Sequence, residues 1–224
     1  MNLQFMNNNK LLTLTLALLV IFIIFYLYSK EQRTGEESDK VFDLFNRPPE
    51  WQGRYAPDLE IELINGEKFR LSDNVGKKTV ILNFFAAWCR PCREEMPELN
   101  DYYEKHKAEP FTLIGINADE SADRVKDFLK RFGIRFPLGI DRGNKIQTAY
   151  TVMGFPTTVF IGADGIVQGY ETGKIMNADI AFDAVHKMNM DIIVAGKGIR
   201  KEAYLKNLDQ QKNLQPDREE KGSR

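Results

Sequence analysis

Residues 79–92 read TVILNFFAAWCRPC. Residues 79–85 are apolar, β-branched or aromatic apart from Asn83, as expected of a buried strand. The pair Cys89 and Cys92 follows within seven residues, just where a helix-like segment begins, and the chain holds no other cysteine. A thiol at a helix N-terminus meets unpaired backbone N–H groups and the positive end of the helix dipole. Both favour thiolate, the attacking species in disulfide exchange. Plainer readings are a chance spacing, inert core thiols or half of a zinc site. Zinc takes four ligands. The nitrogen candidates are His106, fourteen residues after Cys92, and His186, eighty residues further on, without the short spacing that closes a finger.

With 43% hydrophobic residues the 224-residue chain can build one core with extensions, and a net charge of −1 gives no electrostatic case for nucleic acid. Residues 1–10 are a short lead. Residues 11–28 (LLTLTLALLVIFIIFYLY) carry no charge. At about 1.5 Å per residue they reach roughly 27 Å, close to a hydrocarbon core. Tyr26 and Tyr28 end the run, as interfacial aromatics do. No small-x-small site follows, so an uncleaved anchor is expected over a cleaved signal peptide. Lys30, Arg33 and Lys40 beyond the run argue, by the positive-inside rule, for a cytoplasmic C-terminal side. That rule is weak for long translocated domains, and the absence of stray thiols suits an oxidising compartment. The expectation is a single-pass cell-membrane protein with its redox domain on the extracytoplasmic side.

Residues 29–53 are expected to be a polar linker, 54–195 the domain, and 196–224 a charged, largely disordered tail. Within the domain, residues 59–64 and 68–71 flank Asn65-Gly66, a hairpin signal, and 72–76 is a short turn. A helix runs from the cysteines to about residue 107, followed by a second buried strand at 111–117 (FTLIGIN). The two strands and helix make a parallel βαβ unit. Further elements are a helix at 121–132, a short strand at 136–140, a short helix at 144–151, a hairpin at 158–161 and 166–170 across Asp164-Gly165, and a closing helix at 177–194. The fold class is α/β, a mixed sheet covered by helices on both faces, with an N-terminal β-hairpin extension and one N-terminal transmembrane helix. The cysteines fall at the carboxyl end of a parallel strand, where chemistry collects in open α/β sheets.

The segment LNFFAAWCRPCREEMPEL, with Gly154-Phe155-Pro156-Thr157-Thr158, the Ala-Pro-Asp start at 56–58 and the LSD…GK segment, resembles the thioredoxin superfamily and, more narrowly, its membrane-anchored TlpA/ResA-type thiol–disulfide oxidoreductases. The resemblance spans roughly residues 54–194. It implies that Cys89 is the exposed attacking thiol, Cys92 the shielded resolving one, and Pro156 a cis-proline that faces the disulfide and binds a partner's backbone beside Phe155. Thioredoxin carries a buried, proton-shuttling aspartate where this chain has Asn83, which cannot titrate. An acidic residue three places after the second cysteine serves ResA-type proteins; here that is Glu95, on one helical face with Cys92. Burial would raise its pKa into an acid/base range. The plainer reading makes Glu94 and Glu95 solvated helix charges. Arg90 is expected to lower the Cys89 pKa unless it points into solvent. Pro91 stiffens the helix start, and Trp88 offers an apolar face to a peptide or joins the core.

The resemblance further implies protein disulfides as substrates, apocytochrome c among them, a membrane thiol reductant as electron donor, and no cofactor. Two alternatives on the same fold stay open. A peroxide-reducing enzyme would set its cysteine in Pro-x-x-x-Thr/Ser-x-x-Cys, which residues 84–88 lack. A copper carrier would use the thiols as soft ligands, but such relatives space their cysteines more widely and add a histidine.

Overall fold

The computed structural model describes residues 16, 18, 19, 22, 23, 51, 53–194 and 201–213. The chain divides into two units, residues 1–43 and 44–224. In the first, Leu16, Leu18, Leu19, Phe22 and Ile23 are helical with exposed side chains. The rest of the expected anchor at 11–28 lies outside the described residues, as do residues 1–10 and 29–50. Among the described residues no helix is long and apolar enough to cross a membrane.

The second unit is built on a five-stranded sheet in the order β5-β4-β3-β6-β7. Its strands are β3 (Thr79–Phe85), β4 (Phe111–Asn117), β5 (Leu138–Ile140), β6 (Thr157–Ile161) and β7 (Val167–Thr172). The β3–β4 and β4–β5 pairs are parallel, and β3–β6 and β6–β7 antiparallel. The central strand β3 is buried along its whole length, because side chains alternate between two covered faces. Val80, Leu82 and Phe84 join the core cluster with Ile114, Ile116, Val159 and Ile161. Ile81, Asn83 and Phe85 face the other way. There α1 (Arg90–His106), α2 (Ala122–Phe132) and α4 (Ala178–Val194) pack, with Phe128 of α2 against Phe85 and Phe182 of α4 against Phe160. The short α3 (Lys145–Ala149) precedes β6.

The expected hairpin is β1 (Glu60–Glu62) with β2 (Lys68–Arg70), an antiparallel pair of its own. It lies against β5 through a Leu63–Gly139 bridge and the Ile64 N–H donated to the Leu138 carbonyl at 2.8 Å. Gly139 permits this approach: a Cβ there would stand 2.6 Å from the Glu62 carbonyl oxygen.

Both expected domain boundaries are corrected. Trp51, assigned to the linker, is buried and stacks on Tyr150 and Tyr170, with ring centroids 5.9 and 6.5 Å away. Residues 201–213, assigned to a disordered tail, form a helix, α5 (Lys201–Asn213); residues 196–200 and 214–224 lie outside the described residues. Charge density along 196–224 hides the reason. Tyr204 and Leu208, four apart, put one face of the helix into the core, while polar side chains complete the backbone of the domain's first segment. The Tyr204 hydroxyl donates to the Ala56 carbonyl at 2.6 Å. Gln211 accepts from the Tyr55 N–H at 2.9 Å and donates to its carbonyl at 3.0 Å, much as a neighbouring strand would. Lys201 pairs with Asp73.

Tyr204→Ala removes a fully buried ring and its hydrogen bond, and is expected to destabilise the domain by about 3–5 kcal/mol. Urea unfolding of the full chain checks this; a loss below about 1 kcal/mol would mean that α5 is not part of the core.

Candidate active site

The site begins where β3 ends. Ala86, Ala87 and Trp88 lead into α1, whose N-cap is Cys89. Cys89 is extended (φ −72°, ψ 117°), and its sulfur accepts the Cys92 backbone N–H at 3.2 Å. An N-cap normally uses a hydroxyl or carboxylate for this bond; here a sulfur takes it, on the axis of a 17-residue helix. Pro91 lies in the first turn, where its missing N–H leaves no gap.

Cys89 and Cys92 are joined in a disulfide. The expectation of an exposed Cys89 is corrected: it is only 3% exposed, and Cys92 0%. The order of accessibility holds, by a small margin. The 86–88 loop is fixed from an unforeseen side, since Glu120 Oε2 accepts the Ala87 N–H at 2.6 Å and the Asn117 amide at 2.8 Å. Trp88 is outside the core, 59% exposed, with its ring edge-on to Phe155 at 6.0 Å.

Arg90 is also at the surface, 82% exposed, and its Nε donates to Glu94 at 2.9 Å. This corrects the thiolate-tuning expectation: a solvated guanidinium already paired with a carboxylate has little field left for the sulfur.

The Phe155–Pro156 peptide is cis. Pro156 is buried, and the next residue, Thr157, pairs with Phe84 across β6 and β3. That register brings the proline turn to the sheet edge from which the cysteine loop leaves. The Pro156 carbonyl accepts the Gly173 N–H at 2.8 Å.

Two residues further on, the Ile175 N–H donates to Glu95 Oε2 at 3.1 Å. Glu95 is completely buried on α1. Its other oxygen accepts from Asn83 Nδ2 at 2.9 Å, and the same amide donates to Thr158 Oγ1 at 3.0 Å. Asn83 and Thr158 are register partners on β3 and β6. Burial pushes the Glu95 pKa up to about 7, with the Asn83 and Ile175 hydrogen bonds and Lys174 pulling against it and Glu98 adding slightly. The solvated reading fits Glu94 and not Glu95. The ResA-type resemblance, with the helical spacing from Cys92, made Glu95 visible in the sequence; Thr158 and the Ile175 N–H carried no comparable signal.

The histidines weighed as zinc ligands have another occupation. His106 Nδ1 and His186 Nε2 lie 2.8 and 2.7 Å from the two oxygens of Glu109. Among the described residues no group of three or more ligating side chains could hold a metal.

The model of the AhpC/TSA family matches residues 52–170. The chain belongs to the AhpC/TSA family. Within it, the chain is 41% identical over 115 residues to the thiol-disulfide oxidoreductase ResA of Bacillus cereus, covering 51% of this chain and 66% of that protein, just under two thirds of its length. It is 39% identical over 128 residues to ResA of Geobacillus kaustophilus, covering 57% and 73%. Among solved structures, a thiol:disulfide interchange protein of the thioredoxin family from Chlorobium tepidum superposes with a TM-score of 0.54 at 31% identity, covering 62% of this chain and 97% of that one. This AhpC/TSA-family chain thus has a thioredoxin-like fold and groups with thiol–disulfide oxidoreductases.

Glu95 ties stability to pH. Its folded pKa lies above the ordinary carboxyl value of 4.5, so between pH 4.5 and about 7 the folded state holds more protons and stability falls as pH rises. The full shift corresponds to about 3 kcal/mol. In denaturant titrations of the oxidised full chain, wild type is expected to lose stability across that window and Glu95→Gln to show a flatter slope. Parallel slopes would mean that Glu95 titrates normally.

Proposed function

We propose that this protein is a membrane-tethered thiol–disulfide oxidoreductase that reduces disulfides of extracytoplasmic proteins by dithiol–disulfide exchange. The observation that carries the reading is the closed Cys89–Cys92 pair, with the Cys89 sulfur capping α1 and Cys92 buried behind it. In the reduced state the Cys89 thiolate attacks a partner disulfide. The partner's S–S bond breaks, one partner sulfur leaves as thiolate, and a mixed disulfide forms. Cys92 then gives up its proton and attacks the Cys89 sulfur, expelling the second partner thiolate. The partner gains two electrons, its two thiolates are protonated from solvent, and the pair closes. Glu95, buried one helical turn beyond Cys92, is the group proposed to accept the Cys92 proton.

Trp88, Phe155 and Pro156 form the proposed docking edge, with Trp88 exposed and its ring edge-on to Phe155. An extended peptide presenting a disulfide suits such an edge. The apolar run at residues 11–28 supports the tether, and the absence of cysteines outside the pair supports the extracytoplasmic placement. Apocytochrome c as one substrate, and a membrane thiol reductant as the donor that reopens the pair, are proposed from the motif resemblance to ResA-type proteins alone.

Cys92→Ser removes the resolving sulfur and is expected to trap partner proteins on Cys89 as mixed disulfides, visible on non-reducing gels and released by dithiothreitol. Cys89→Ser is expected to trap none and to abolish insulin reduction. Trapping through Cys92 in the Cys89→Ser variant, or none in either, would refute the assignment.

A further inference from the structure

The environment of Glu95 is complete for a carboxylate and incomplete for a carboxylic acid. Both its oxygens face N–H donors, Asn83 Nδ2 on one side and the Ile175 backbone on the other. A neutral carboxyl must donate its proton, and neither neighbour in this arrangement can accept it. In the same cluster, the buried Asn83 Oδ1 has no hydrogen-bond partner among the described residues. The unpaired acceptor and the missing acceptor belong to the two ends of one amide group.

We infer that the Asn83 side chain is a positioning residue that turns over with the Glu95 proton, donating its NH2 to the carboxylate and presenting Oδ1 to the acid. The third member of the cluster allows it. Thr158 Oγ1 accepts from Asn83 in the present orientation, and a hydroxyl can rotate to donate to Oδ1 in the other. The Ile175 N–H stays on Oε2 in both. Asn83 does not titrate, yet in this position it answers to the protonation state of the carboxyl beside it. The charged groups acting on Glu95 are Lys174, in the connection from β7 to α4, and Glu98, on α1 itself. Cys92 on the same helix is disulfide-bonded, and Asn83 and Thr158, on β3 and β6, carry no charge. The inference rests on Glu95 being the proton acceptor of the site.

The test follows Glu95 by its side-chain carboxyl 13C resonance in the oxidised full chain, assigned by its absence in Glu95→Gln. Wild type is expected to titrate near pH 7. Asn83→Leu, which removes the donor to the carboxylate, is expected to move the midpoint upward by roughly one to two pH units. In unmodified protein, contacts between the Asn83 amide protons and Thr158 are expected above the midpoint and lost below it. If wild-type Glu95 titrates as an ordinary carboxyl, the acid/base reading of Glu95 fails. If it titrates near 7 while the Asn83 amide keeps its contacts through the midpoint, or Asn83→Leu folds and leaves the midpoint in place, the turnover of Asn83 is refuted and the Glu95 reading stands.

Discussion

The hydrogen bonding of β3 on both edges is the constraint on which the rest depends. Parallel pairing with β4 fixes where the cysteine loop leaves the sheet, and antiparallel pairing with β6 brings Pro156 and Thr158 to the same end. Burial of both faces then divides the strand's side chains by role. Leu82 and Phe84 fill one core, while Asn83 points to the helix face and meets Glu95. A one-residue slip of register would send Asn83 into the apolar cluster and bring Leu82 or Phe84 to the carboxylate. The chemistry is therefore specified by sheet pairing before any catalytic side chain is considered.

The site joins two electrostatic devices of opposite sense. At Cys89 the helix terminus offers donors to a sulfur and favours its anion. At Glu95 burial disfavours the anion, and two hydrogen bonds recover only part of the loss. An N-cap sulfur favoured as its anion thus shares a helix with a carboxyl that readily holds a proton, the latter one turn beyond Cys92. Exchange chemistry needs that pairing, because the resolving thiol becomes reactive only when something nearby takes its proton. The connection through Gly173 and Ile175 links the Pro156 carbonyl to the Glu95 carboxylate, so the proposed docking edge and the proposed acid/base group share one short piece of backbone.

What the sequence discloses follows the range of the forces involved. The strands 79–85 and 111–117 were legible to the residue because two-sided burial leaves continuous apolar runs. Glu95 was legible as a candidate because the ResA-type resemblance points to that position, and helical spacing puts it on one face with Cys92. Polar recognition of backbone was not legible. Gln211 satisfying Tyr55, Glu120 holding Ala87 and Ile175 holding Glu95 each join residues far apart in sequence, or distant loops, and leave no periodic trace. The same blindness turned α5 into a tail, whereas Trp51 was missed because its stacking partners, Tyr150 and Tyr170, lie about a hundred residues away. Arg90 failed for another reason: its field depends on where a long exposed side chain points, and Glu94 decides that.

The central claim is that the Cys89 sulfur, once reduced, is held as a thiolate by the start of α1. Its alkylation rate as a function of pH, measured with iodoacetamide on the reduced full chain, tests that claim directly. A half-maximal rate at or below pH ~7 is the expected result, well under the value of about 8.5 for an unperturbed cysteine. A midpoint near 8.5, matching a cysteine in an unstructured peptide, would contradict it.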